Sequence, residues 1–165
     1  LDPDYLVIAS NTALHHEQLV FVENNLQGRK ILIEKPLFDF CHDLEIRNNQ
    51  VFVGYNLRFH PLIQLIKEKI TNKKLWNIQI FCGFYLPDWR PDRDYQVTSS
   101  AKKETGGGVL LDLSHELDYV QWITGEIDII NTVSEKVSDL EIDTDKELEE
   151  RKAYLEEARS QDSGD

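Results

Sequence analysis

Two short apolar runs rich in branched residues, YLVIAS at 5–10 and KILIEKPLF at 30–38, flank a helix-like stretch, HEQLVFVENNLQ. Apolar residues at 19, 20, 22 and 26 give that stretch one apolar face, and Gly28 stands where a C-cap glycine belongs. Strand, helix and strand in such quick succession make a βαβ unit. That unit commits the chain to a parallel sheet with a right-handed crossover. The first run reads as a strand buried on both faces, as parallel strands usually are.

Further elements follow along the chain. QVFVGYNLRF at 50–59 reads as a strand, and PLIQLIKEKI as a helix with Pro61 at its first position. WNIQIFCGFYL at 76–86 alternates in part, as a strand covered on one face does. The next 19 residues, PDWRPDRDYQVTSSAKKET, have no period, and loops of that length tend to be functional or disordered. A helix is expected after Gly106–Gly108, with Val109, Leu110, Leu113, Leu117 and Val120 as its core stripe, running to Trp122–Ile123. IDIINTVSEKVS reads as a last strand. The tail from Thr144 opens with a capping-box pattern, Thr144 and Glu147, and reads as a solvated helix with a disordered end.

The charge balance narrows the partners. The net charge is −12, with 12 acidic and 5 basic residues from Glu135 onward and 18 and 13 before it. Phosphate-backbone binding needs a concentrated basic field, so a nucleic-acid surface is not expected. No run of about 18 apolar residues exists for a membrane span. The first residues lack the charged and apolar regions of a signal peptide. Two cysteines, Cys41 and Cys82, fit a reducing cytoplasm better than a disulfide scaffold. The chain has no methionine, so the expectation is that it starts inside a longer one.

Three stretches carry possible chemistry. Glu34-Lys35-Pro36 sits at the carboxyl end of a predicted parallel strand, where open α/β sheets bind ligands. A partly desolvated lysine there can exchange a proton with a hydroxyl, or it is simply a surface lysine at a strand end. SNTALHH at 10–16 occupies the equivalent edge after the first strand; Asn11 and Thr12 either bind a ligand or cap the following helix. In GGGVLLDLSHELDYVQW, His115 lies three residues from both Asp112 and Asp118, so each pair shares a helical flank. A histidine beside a carboxylate suits proton transfer, or two ligands of a metal, or a hydrogen-bonded core histidine. No third ligand has clear spacing, so no metal site is assigned. The G-x-G-x-x-G fingerprint of a dinucleotide fold is absent, since the eight glycines are at 28, 54, 83, 106, 107, 108, 125 and 164.

With EKP, VGYNLRFHP and GGGVLLDLSHELD in this order, residues 3–143 resemble the Gfo/Idh/MocA family of NAD(P)-dependent sugar and polyol oxidoreductases. The resemblance implies an α/β plus α+β architecture: the C-terminal part of a Rossmann domain (1–38), a truncated mixed-sheet substrate and oligomerisation domain (39–134), and an acidic tail (135–165). Lys35 would match the catalytic lysine, His115 the family acid/base, and Asp112 its neighbouring carboxylate. Asn11, Thr12, His15 and Glu34 would lie beside the cofactor, NAD or NADP. Asn56 and Arg58 would face the substrate from a strand, and Trp89, Arg90 and Arg93 would cover it from the long loop. The LDLSHELDYVQW style looks like members acting on sugars or sugar nucleotides. The chain departs from the family pattern in three ways: the glycine fingerprint is missing, the aspartate–histidine interval is three rather than four, and an acidic tail replaces further strands. The alternative is a truncated non-catalytic remnant that serves as an interaction or dimerisation module. Either way a cytoplasmic protein and a possible homo-oligomer are expected.

Overall fold

The computed structural model describes residues 2–125, 131, 133 and 138–144. Strands β1 (Tyr5–Ile8), β2 (Lys30–Ile33) and β3 (Gln50–Val53) form a parallel sheet in that order, with Ile8, Ile33 and Val53 in register. Helix α1 (His15–Asn25) links β1 to β2, as the βαβ pattern requires. β3 lies beyond the expected boundary at residue 38 and extends the same sheet, so the first unit reaches Val53.

Side chains alternate across a strand, and the burial follows that alternation. Ile8, Ile31 and Ile33 pack with Leu19 and Val22 of α1, and Ile31 and Ile33 are completely buried. On the opposite face Val7, Leu32 and Phe52 are exposed. The expectation of a first strand buried on both faces is therefore corrected: α1 and the loop residues Leu37, Phe38, Leu44 and Ile46 pack on the face of Ile8, Ile31 and Ile33, while Val7 on the other face is exposed.

α1 ends at Asn25, three residues before Gly28. Gly28 instead makes a left-handed turn into β2 (φ +70°), and its N–H donates to the Asn48 carbonyl at 2.8 Å. Glu23, buried on α1, organises the loop before β3. Its carboxylate accepts from the main-chain N–H groups of Arg47 and Asn48 and from the Asn49 amide. Burial pushes the Glu23 pKa upward, but these hydrogen bonds together outweigh it and hold the group below its ordinary value.

Past β3 the order changes character. The expected strand over 50–59 stops at Val53 and gives way to a 3-10 turn at Asn56–Phe59. Helix α2 (Pro61–Ile70) starts at Pro61 as expected, and the His60 ring accepts from the Leu62 N–H. Residues 76–85 form no strand; Trp76 and Phe81 are exposed, and no ladder partner exists among the described residues. The long loop contains a single helical turn, α3 (Leu86–Trp89), and 3-10 turns at 95–97, 99–101 and 103–105. After the glycines come α4 (Val109–Asp112) and α5 (Ser114–Thr124), separated at Leu113. That break takes α4 out of register with α5, and Val109, Leu110 and Leu117 are exposed rather than forming one core stripe. The last strand candidate and the tail helix fall almost wholly outside the described residues. No helix among the described residues is long and apolar enough to cross a membrane.

Candidate active site

The carboxyl ends of β1 and β2 meet the GGG segment at one edge of the sheet. Gly106 has φ +73°, and a Cβ there would lie 2.7 Å from the Thr12 Cβ and 2.9 Å from the Ala13 nitrogen. A Cβ on Gly107 would lie 2.0 Å from the Ser99 carbonyl oxygen. Only glycine allows this approach, which presses the start of α4 against the loop after β1.

Lys35 leaves the end of β2 and bridges the same gap. Its Nζ donates to the Asp112 main-chain carbonyl at 2.7 Å, at the C-terminal end of α4 where a cation is favoured. A cis peptide bond joins Lys35 to Pro36. One residue into α5, His115 packs its ring edge-to-face against Tyr55, with ring centres 5.8 Å apart. Its Nδ1 is buried and has no hydrogen-bond partner among the described residues. Burial is the main influence holding the His115 pKa below its ordinary value. The Lys35 charge adds to it, and Glu116, Asp118 and Glu34 oppose it. At neutral pH this favours a neutral ring with one nitrogen free to accept a proton.

Asp112 is not the carboxylate partner of His115. Its side chain bonds to Ser100, and the charges that act on His115 are those of Lys35, Glu116, Asp118 and Glu34. The physical reason is the break at Leu113: three residues across it do not share a flank as they would on one helix. Burial raises the Asp112 pKa above its ordinary value, against the Ser100 hydrogen bond and the Lys35 and Arg90 charges.

The other candidates divide. Asn11 and Glu34 are exposed at the sheet edge, and Thr12 is half-buried beneath Gly106. His15 is 1% exposed, and both ring nitrogens face main-chain carbonyls, so its side chain is withdrawn from any ligand. Asn56 and Arg58 stand on the 3-10 turn rather than a strand. Arg58 points to Asp118 in a two-pronged ion pair, with Nε to Oδ2 at 2.8 Å and Nη2 to Oδ1. This pair occupies the carboxylate weighed above as a metal ligand. Trp89 lines a cavity of about 960 Å³ with Phe84, Tyr85, Tyr95, Ser100 and Asp112. Arg90 and Arg93 are exposed outside that lining, with Arg90 near enough for its charge to act on Asp112.

Sequence reasoning missed Tyr55, Ser100 and the role of Asp118. Tyr55 sits inside the quoted VGYNLRFHP stretch, but nothing local marks it as a partner of a histidine 60 residues on. Ser100 lies in the loop without a period.

The profile described as "Oxidoreductase family, C-terminal alpha/beta domain" matches residues 67–157, more than half of the chain. The chain belongs to the Gfo/Idh/MocA oxidoreductase family. The matched span holds Asp112 and His115, while Lys35 and the βαβ unit precede it. An α/β class for this oxidoreductase accords with the parallel sheet and its helices. Comparison with curated proteins and with solved structures gives no match.

Proposed function

We propose that the chain takes part in hydride transfer between a nicotinamide cofactor, NAD or NADP, and a hydroxyl or carbonyl of a sugar, sugar nucleotide or polyol. The observation behind this reading is the Lys35–Asp112 hydrogen bond, which joins the EKP strand end to the GGG segment and brings the Lys35 charge to bear on His115. A cation and a neutral imidazole at one edge can share the proton of a substrate hydroxyl, Lys35 polarising the oxygen and His115 accepting or returning the proton.

The cofactor end of the reading rests on Asn11, Thr12 and Glu34. They stand outside the carboxyl ends of β1 and β2, where open parallel sheets receive nucleotides, and their hydrogen-bonding groups fit a ribose hydroxyl. A bound nicotinamide would supply the redox step. His15, with both ring nitrogens turned inward, is left out of this contact set. On the same reading the aromatic-lined cavity beside Asp112 takes the substrate. Trp89 and Tyr85 offer faces for the apolar side of a sugar ring.

The test is a titration of the purified chain with NADH and NADPH by reduced-nicotinamide fluorescence. Hydride transfer is then assayed with sugars, sugar nucleotides and polyols. Saturable binding is expected, with turnover falling in Lys35→Met and His115→Ala while cofactor affinity holds. The turnover profile should lose activity as pH falls through the lowered His115 pKa, below the ordinary histidine value. A folded chain that neither binds a reduced nicotinamide nor transfers hydride would sink the reading.

A further inference from the structure

We propose that His15 is a positioning residue for Lys35: its buried ring clamps the loops after β1 and β2 together and so fixes the backbone from which Lys35 projects. The inference rests on the reading of Lys35 as the proton-handling cation and adds a residue that acts through it. His15 opens α1 and is almost wholly buried. Its Nε2 lies 3.1 Å from the Ser10 carbonyl. Its Nδ1 lies 3.1 Å from the Pro36 carbonyl and 3.2 Å from that of Leu37.

Those carbonyls stand just where the sheet stops supplying partners. Ser10 is past the end of β1, and Pro36 and Leu37 are past the end of β2. A main-chain acceptor beyond the ladder needs another donor, and whichever ring nitrogen holds a proton donates to the carbonyl it faces. An apolar ring of similar size would fill the space and leave these acceptors without that donor.

Lys35 is thereby held on both sides. On its N-terminal side the Glu34 N–H donates to the Ile8 carbonyl at 2.9 Å, and on its C-terminal side the His15 Nδ1 stands within hydrogen-bond distance of the Pro36 and Leu37 carbonyls. A lysine stem is flexible, so its ammonium group is placed no better than its Cα. With the backbone pinned, Nζ reaches the Asp112 carbonyl at 2.7 Å. The close approach of Gly106 to Thr12 and Ala13 braces the same Ser10–Leu14 loop.

The experiment reads Lys35 directly. The full chain, as wild type, His15→Leu and His15→Gln, is treated with a limiting amine-acylating reagent, and lysine labelling is followed by peptide mass spectrometry. Lys67, held at the Trp122 ring and carbonyl, is the internal reference. In His15→Leu the Lys35 to Lys67 labelling ratio should rise clearly above that of wild type, because Nζ no longer held at the Asp112 carbonyl is free to react. His15→Gln retains an amide donor and should rise less. General loosening would raise both lysines and leave the ratio where it was. An unmoved ratio in a variant whose circular dichroism matches wild type overturns the proposal. If His15→Leu does not fold, His15→Phe, which keeps a ring and has no donor, decides, because a ratio equal to wild type there is equally fatal. The readout needs no turnover. Absence of hydride transfer would remove the reading of the site and leave the clamp, whereas a fixed ratio would remove the clamp and leave the site.

Discussion

Residues 4–53 and residues 54–125 are held together by different physics. In the first region a three-stranded sheet packs one apolar face on α1, and burial of Ile31, Ile33 and Leu19 secures it. In the second region large apolar side chains such as Trp76, Phe81 and Leu117 are exposed, and no strand is present among the described residues. Specific ties position its helices instead. Arg58 grips Asp118 on α5, Lys67 lies 3.6 Å over the Trp122 ring while bonding its carbonyl, and Lys35 reaches α4 from the sheet. The candidate site lies where the two regions meet, with its cation on the sheet side and its imidazole on the tied side. A rigid scaffold thus carries Lys35, and a few polar contacts set where His115 stands.

The contrast predicts a ranking of effects. Ile31→Ala, a truncation in the packed face, should cost about 2–5 kcal/mol in denaturant unfolding, and a cost below about 1 kcal/mol would break the contrast. Arg58→Ala comes next. It leaves the Asp118 side chain, 8% exposed, without its partner, while Arg58 itself is 41% exposed. A loss of about 2 kcal/mol is expected, less than for a wholly buried pair, with faster hydrogen exchange confined to α5. Uniform exchange changes over the sheet as well would show that the two regions are not separately held.

Glu23→Gln sharpens the account of the first region. The folded-state pKa of Glu23 lies below 4.5, so its contribution is present above that value and fades as pH falls through the lowered pKa. The variant should lose about 1 kcal/mol at neutral pH and approach wild type in acid. A gap that stays constant with pH would mean that the carboxylate charge is not what holds the loop. Asp112→Asn is the smallest effect and has the opposite sign. Its raised pKa means that the charged form is disfavoured in the folded chain, so stability from this group is present at low pH and lost as pH rises through the folded value. The variant should therefore match or slightly exceed wild type at pH 7, by about 0.5 kcal/mol, with the difference vanishing near pH 3. Thermal melts at the two pH values decide it.

Much of this scaffold was legible locally. The βαβ order, the start of α2 at Pro61 and the place of Lys35 at a strand end all follow from residue spacing and fixed backbone preferences. The strand expected at 76–86 was not found, because alternation records a tendency and a strand also needs a neighbour to bond. The Asp112–His115 pair failed for a related reason: spacing of three means one flank only if the helix is continuous, and it breaks at Leu113. His15 carried no signal of its inward role, since an adjacent pair of histidines looks alike in sequence while only one of them enters the core.

By itself the sequence determined the parallel βαβ unit, the membership of an oxidoreductase family and the residue types available at the sheet edge. Those are consequences of short-range periodicity and of motifs whose order along the chain is itself the information. Only the tertiary structure decided that Lys35 meets α4, that Arg58 meets Asp118 and that His15 turns inward. Each of these contacts joins groups that are strangers in sequence, and their pairing depends on the path of the chain between them rather than on the residues alone.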